Sequence, residues 1–311
     1  MKSLAVQANA KVNLFLEIGE SRADGYHEVR SILTPVSLSD TVVLERRADG
    51  VEAFMESDGA VGMENLPTLD SDENLVVRAA RALQEETGCT EGVRIRVDKA
   101  IPVGGGLGGG SADAAAVLTG LNRLWNTGLS RARLMEIGLR LGCDVPALVH
   151  GGAVAVEGRG ERVQAVNSPS ARPPVWLTLA NPGFHVSTRD VFSRYTALTY
   201  SPVPFKDAVS IFEKGDPGAM ARMLFNSLQP SVFEKYPLIE MTAESLATAG
   251  ATAVLLCGSG ATVMGLASGE EQAREIERTL RTTLDFPVWT RAVRLLPDGV
   301  MVAHGPLEAR V

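Results

Sequence analysis

A chain of 311 residues, 45% of them hydrophobic, can bury a large core and is expected to fold as two domains. Its formal charge of −7 excludes the broad basic surface that nucleic acid or an anionic membrane requires, so any charged ligand must be met by local groups. Three scattered cysteines, Cys89, Cys143 and Cys257, make neither a disulfide framework nor a zinc site and suit a reducing, cytoplasmic compartment, and Met1 to Ala10 lacks the basic and apolar segments of a signal peptide.

In chain order, Val6 to Ile18 reads as a strand interrupted by Lys11 and Asn13. On pattern alone Lys11 is an ordinary solvated strand residue. Asp24-Gly25 marks a turn before Tyr26 and His27, and strand-like runs follow from Glu28 to Pro35 and from Thr41 to Leu44. Asp49 to Asp70 is polar and reads as loop. Ser71 or Asp72 should cap a helix with Leu75, Val76, Ala79, Ala80 and Leu83 on its apolar face and Gly88 as its stop. Val93 to Val97 alternates like a strand and leads into Pro102-Val103-Gly104-Gly105-Gly106-Leu107-Gly108-Gly109-Gly110-Ser111-Ala112-Asp113.

Six of the seven residues from Gly104 to Gly110 are glycine, and an alanine-rich helix is expected from Ser111 to about Trp125. Glycines between a strand and a helix N-terminus can turn several N–H groups toward one anion, so the run reads as a phosphate cradle. Gly104, Gly106 and Gly109 satisfy a dinucleotide fingerprint, but no acidic residue lies about twenty positions on, near Leu129-Ser130-Arg131, to hold a ribose. Gly110 stands where a Walker A loop needs lysine. A surface linker remains the plain alternative. Ser111 can serve a phosphate or simply cap the helix.

Ser130 should cap a third helix with Leu134, Ile137 and Leu141 on one face, ending at Gly142. Cys143-Asp144-Val145-Pro146 follows, where an Asp between a helix stop and Val-Pro reads as a turn residue, and then a strand from Ala153 to Val156. The proline-rich stretch from Ser168 to Pro174 marks a boundary between an N-terminal domain, residues 1–165, and a C-terminal one, residues 166–311. Beyond it come a strand (Val175 to Ala180), helices, and two strands about Gly258-Ser259-Gly260, then a helix and a strand. Asp216-Pro217 starts one helix, and Ser268 with Glu271 reads as the capping box of another bearing Ala273, Ile276 and Leu280. Ser245 to Gly269 is uncharged and long enough to span a bilayer, but its five glycines argue for a strand pair instead.

The glycine run with its flanks resembles the phosphate loop of the GHMP small-molecule kinases. Ala10-Lys11-Val12-Asn13-Leu14, Asp24-Gly25-Tyr26-His27 and Leu141-Gly142-Cys143-Asp144-Val145-Pro146 are similar to motifs of those members whose acceptor is a cytidyl diphosphate ester of methylerythritol, in non-mevalonate isoprenoid biosynthesis. The likeness covers about residues 5 to 190, with a weaker echo at Gly258-Ser259-Gly260. Cys143 departs from the usual alanine or serine, and Tyr195 to Ser245 carries no signature.

The resemblance implies an α+β fold in two domains, the first like ribosomal protein S5 and the second a ferredoxin-like α/β sandwich, with the site in the cleft between them. It implies transfer of the γ-phosphoryl of ATP, with Mg²⁺, to the 2-hydroxyl of the acceptor. Asp144 is then the expected base and Lys11 its electrostatic partner. ATP would be held by Asn74, Leu75, Lys99, Pro102, Gly104 to Gly106, Leu107, Gly108 to Gly110 and Ser111. The acceptor would meet Asn13, Tyr26, His27, Phe184, Gly258, Ser259 and Gly260, with Tyr26 and Phe184 stacking on the pyrimidine. Alone, Tyr26-His27 reads equally as a core aromatic beside a surface histidine, and Gly258 to Gly260 as a plain hairpin turn. The rivals are a kinase of the same superfamily acting on homoserine, mevalonate or a sugar, a nucleotide-binding protein without catalysis, and a dinucleotide-dependent oxidoreductase.

Overall fold

The computed structural model describes residues 2–57, 74–167, 173–195, 199–298 and 303–304. It opens on two long antiparallel strands, β1 (Ser3–Ser21) and β2 (His27–Arg47), joined by a tight turn in which Arg22 N–H donates to the Tyr26 carbonyl at 2.7 Å. The two separate strand runs expected after His27 are one strand, because the residues between them also pair with β1. Its length lets two partners share one strand: β4 (Gly92–Lys99) pairs with its second half and β5 (Val154–Gly158) with its first.

The stretch after Asp49, expected as loop, contains β3 (Val51–Ser57), which runs parallel to β4 at the sheet edge. Parallel neighbours need a crossover, and it includes helix α1 (Leu75–Thr87). Asn74 caps α1 by accepting from Val76 N–H at 3.0 Å, so the cap is neither Ser71 nor Asp72, which lie outside the described residues. Gly88 ends the helix in the left-handed conformation, as expected.

Helix α2 (Gly109–Leu124) begins two glycines earlier than its alanine pattern, with left-handed Gly108 as its cap. It is buried on nearly every side, and its Gly120 lets it approach β1 and β2 closely, since a Cβ there would meet Leu44 Cδ1 at 2.5 Å. Ser130 caps α3 (Arg131–Leu141) by accepting from Arg133 N–H. Asp144, expected as a turn residue, instead flanks the start of a short helix, α4 (Val145–His150), whose Pro146 sits at the second helical position, where proline costs no hydrogen bond. β6 (Arg162–Ala165) completes a hairpin with β5.

The remainder builds a second sheet. β7 (Trp176–Asn181) is its second strand, followed in the chain by α5 (Thr188–Arg194), α6 (Phe205–Lys214), α7 (Pro217–Met223), the short β8 (Phe225–Asn226), α8 (Gln229–Lys235) and α9 (Pro237–Thr248). Then come β9 (Ala253–Leu256), β10 (Val263–Ala267), α10 (Glu270–Thr283), β11 (Trp289–Arg294) and β12 (Ala303–His304). The antiparallel order is β11-β7-β10-β9. Asp216 caps α7 as expected, whereas the Ser268/Glu271 capping box does not form. Gly269 precedes α10, leaving Ser268 one residue too early, and its N–H donates to Gln272 Oε1 at 2.6 Å instead.

One face of this sheet is covered by α9 and α10, whose Ile239, Leu246, Ala273, Ile276 and Leu280 pack on Ala180, Leu256 and Val263. Its other face meets the first sheet: Leu177, Leu179, Leu255, Met264 and Leu266 form one core with Val12, Leu14, Ile32, Ile101 and Leu107. The expected domain limit near residue 165 falls between β6 and β7. The chain nevertheless returns across it, because β8 and β12 both pair with β1.

Candidate active site

Leu107, the one side chain among the six glycines, is fully buried between the two sheets and pins the glycine loop there. Its carbonyl accepts from Lys11 N–H of β1 at 2.9 Å, and the Gly105 carbonyl accepts from Thr262 N–H at 3.1 Å. The loop is thereby stitched to both halves of the molecule. It also interlocks with the second glycine motif: Gly106, at φ +78°, would place a Cβ 2.0 Å from the Cys257 carbonyl oxygen, and Gly258 would place one 3.1 Å from the Gly106 carbonyl oxygen. Only backbone fits between them.

Two irregularities in the β1–β2 register, between Asn9 and Lys11 and between Asn13 and Phe15, isolate the segment Lys11 to Asn13. Such bulges re-aim side chains. Lys11, only 4% exposed, donates from Nζ to Asn13 Oδ1 at 2.7 Å, and Asn13 Nδ2 donates to Ser31 Oγ at 2.8 Å. Lys11 Nζ stands 3.3 Å from Asp144 Oδ2, and the Asp144 side chain is 38% exposed. A buried cation beside a solvent-accessible carboxylate is thus held at the loop, since a Cβ on Gly108 would touch Lys11 Cε at 2.9 Å and one on Gly258 would lie 3.4 Å from its Nζ. Ser111 Oγ lies 3.8 Å from the Cβ position of Gly142, two residues before Asp144.

Leu75 and Lys99 adjoin the loop's far end, with Leu75 Cδ1 3.5 Å from the Cβ position of Gly110 and Lys99 Nζ 3.2 Å from that of Gly109, while Asn74 caps α1 just before Leu75. Lys99 is not open to a ligand, however. Its ammonium is buried between Asp113, at 2.8 Å, and Asp40. Burial pulls the Lys99 pKa down, but the two carboxylates outweigh it and hold it above the ordinary value.

Tyr26, 47% exposed, lies at the β1–β2 turn with the Arg159 guanidinium 5.3 Å from its ring centroid. His27 starts β2 and contacts Phe192 and Tyr195, with centroids at 5.9 and 6.1 Å. Phe184 follows β7, half-buried against Tyr236 at 5.8 Å. Pro102 is buried at the mouth of the loop.

Several residues that hold this site escaped the sequence reading. Asn226, buried in β8, donates to the carbonyls of Leu256 and Gly258, both at 2.8 Å. Thr188 and Ser259 share a hydroxyl hydrogen bond at 2.8 Å, and Asn181 Nδ2 donates to Thr262 Oγ1 at 2.9 Å. A Cβ on Gly104 would collide with His185 Cδ2 at 1.8 Å. The only local sign of Asn226 was its place before Ser-Leu in an otherwise helical region; the signal for His185 was its neighbour Phe184. No group of three or more His, Cys, Asp or Glu side chains suited to a metal ion occurs among the described residues, nor does any helix there long and apolar enough to cross a membrane.

Residues 74–152 match the model of the GHMP kinases N terminal domain, and residues 208–285 that of the GHMP kinases C terminal domain. The chain is 40% identical over 281 residues to a 4-diphosphocytidyl-2-C-methyl-D-erythritol kinase of Symbiobacterium thermophilum, covering 89% of this chain and 95% of that one. It is 40% identical over 295 residues to the kinase of the same name from Geobacter metallireducens, covering 94% of this chain and 100% of that one. Among solved structures, a 4-(cytidine 5'-diphospho)-2C-methyl-D-erythritol kinase is similar with a TM-score of 0.73 and 33% identity, over 93% of this chain and 99% of that chain. A homoserine kinase from Cytophaga hutchinsonii, at 20% identity over 95% of both chains, has the same TM-score and so shares the fold.

Proposed function

The chain belongs to the GHMP kinases, among the 4-diphosphocytidyl-2-C-methyl-D-erythritol kinases, and from that premise we propose how its residues divide the phosphoryl transfer to the 2-hydroxyl of that acceptor. The observation that carries the assignment is the Lys11–Asp144 pair beside the glycine loop. ATP lies along Gly104 to Ser111, its phosphates on backbone N–H groups at the start of α2, with Pro102, Asn74 and Leu75 bordering it and Lys99 supporting it from below. The acceptor enters from the side of Gly258 to Gly260, where Ser259 is fixed by Thr188.

Asp144 Oδ2 takes the proton of the acceptor hydroxyl as its oxygen attacks the γ-phosphorus; the bond to the β-phosphate oxygen breaks and ADP leaves. Lys11 stabilises the negative charge that develops on the attacking oxygen, and Asn13 orients Lys11 through its side-chain carbonyl. Tyr26 and Phe184 supply aromatic faces for the pyrimidine and His27 a ring nitrogen for its edge, while Phe192 and Tyr195 fix the imidazole. The described residues hold no group of three or more His, Cys, Asp or Glu side chains for Mg²⁺; Ser111 and Asp144 would be its protein oxygen ligands beside the nucleotide phosphates. Such an ion would neutralise phosphate charge. The free thiols suit a cytosolic enzyme.

The test is an assay of purified protein with ATP against a panel of alcohols. Phosphorylation of the cytidyl diphosphate ester, with homoserine and mevalonate left unreacted, is expected. Equal turnover of acceptors lacking the base would overturn the roles given to Tyr26, His27 and Phe184.

A further inference from the structure

Lys99 is the last residue of β4 and Asp113 lies in the first turns of α2, so they flank the glycine loop on either side. Their side chains meet beneath it at 2.8 Å. Asp40 of β2 bonds the same ammonium through Oδ2, while its Oδ1 accepts from the N–H groups of Ala100 at 2.6 Å and Ile101 at 2.9 Å. Those are the first residues of the chain as it leaves β4 for the loop. One buried lysine therefore ties the strand before the loop, the helix after it and the central strand beneath into one knot. The ammonium backs directly on Gly109, the residue that opens α2.

The knot is not electrically balanced. Two carboxylates share one ammonium, all three side chains are buried, and Asp113 Oδ1 has no hydrogen-bond partner. The charged groups facing Asp113 are Lys99 from β4 and Asp40 from β2. Of the other elements packed on α2, β1 and α4 bring Lys11 and Asp144, which pair with each other at the Gly108 end; α1 and α3 bury apolar faces, and Arg78 of α1 is turned to the Arg140 carbonyl of α3. Burial pushes the Asp113 carboxyl up to about 7; Lys99 opposes this and Asp40 adds to it.

We propose that Asp40, Lys99 and Asp113 form a positioning unit that fixes the glycine loop, and that gain or loss of one proton on Asp113 changes how tightly the loop holds nucleotide phosphates. The inference rests on reading Gly104 to Ser111 as the ATP site. With Asp113 protonated, the knot is neutral. With it ionised, a net negative charge lies beneath the loop and repels the phosphates, so affinity for ATP falls as pH rises through neutrality.

Steady-state kinetics on the full chain separate the possibilities. Asp40→Asn keeps the shape but turns an amide N–H toward Lys99; the KM for ATP should rise by about tenfold or more, with the KM for the acceptor little changed, because a loop displaced by a fraction of an ångström loses phosphate contacts first. Asp113→Asn mimics the protonated state and serves if Asp40→Asn does not fold. The parent's KM for ATP should climb severalfold from pH 6 to pH 8, and more steeply than the variant's. ATP titrates in the same range but contributes equally to both proteins, so their difference reports Asp113 alone. Identical pH profiles, or an Asp40→Asn effect confined to kcat or to the acceptor KM, would overturn the proposal while leaving the ATP site intact. A parent protein that turns over no acceptor with ATP would overturn the underlying reading and this inference with it.

Discussion

Lys11 Nζ and Asp144 Oδ2, from the first strand and the start of the fourth helix, stand 3.3 Å apart at the inner end of the glycine loop. Asn13 completes the arrangement from the same strand segment as Lys11, bounded by two register shifts. The pair joins a buried positive charge to a carboxylate that a ligand can reach.

Asp144→Asn removes the proton acceptor without changing shape, and kcat should fall by roughly 10²- to 10⁴-fold. Lys11→Met should also lower kcat. In both variants ATP affinity, measured by equilibrium binding, should stay close to that of the parent. Near-normal turnover by Asp144→Asn would remove it from the role of base.

The glycine run should not be uniformly intolerant. Gly106→Ala imposes a left-handed backbone on alanine and drives its Cβ into the Cys257 carbonyl, costing about 1–3 kcal/mol from strain alone. Gly110→Ala, at the second position of α2, meets only Leu75 Cδ1 at 3.5 Å and should leave the fold no less stable, with a gain of at most about 0.5–1 kcal/mol. Denaturation midpoints would show the contrast, and equal effects would argue against the close approach of the two glycine motifs.

Tyr26→Ala should raise the KM for the cytidyl substrate by roughly tenfold or more, given about 1–3 kcal/mol per stacked base, and leave the KM for ATP unchanged. The half-exposed ring makes a stability effect small. An unchanged acceptor KM would count against stacking.

Asn226→Ala strips the Leu256 and Gly258 carbonyls of a shared buried donor and the Leu228 N–H of its acceptor. The loss should be about 2–3 kcal/mol, read from urea midpoints, with the acceptor KM raised because the Gly258 turn loses its support.

Asp113 also predicts a stability profile. Unfolded, its ordinary value is 3.8; in the fold, burial raises it to about 7. Between those values the folded protein holds a proton that the unfolded chain has released, so its contribution to stability falls as pH rises across this window. Asp113→Asn removes that dependence. Its stability relative to the parent should therefore improve from pH 4 to pH 8 in chemical denaturation, and a constant difference would refute the shift.

Periodicity and caps made much of the fold legible: α1 and α3 stand on the apolar faces read from sequence, α2 follows its alanine-rich run, and Ser130, Asp216, Gly88 and Gly142 end or begin helices as expected. These signals are local, set by backbone geometry within a few residues. What was overlooked was local too weakly to announce itself: β3 is a charged edge strand, and α4 begins with a residue pair that also suits a turn. By itself the sequence determined that a glycine-rich run lies between a strand and a helix, and, through its ordered motifs, which family the chain resembles. Only the tertiary structure decided that Lys11 meets Asp144, that Gly106 abuts Cys257, and that Lys99 faces Asp40 and Asp113 rather than an open pocket. These are contacts between residues far apart in the chain, fixed by how the two sheets pack about Leu107, and no spacing rule along the chain encodes them.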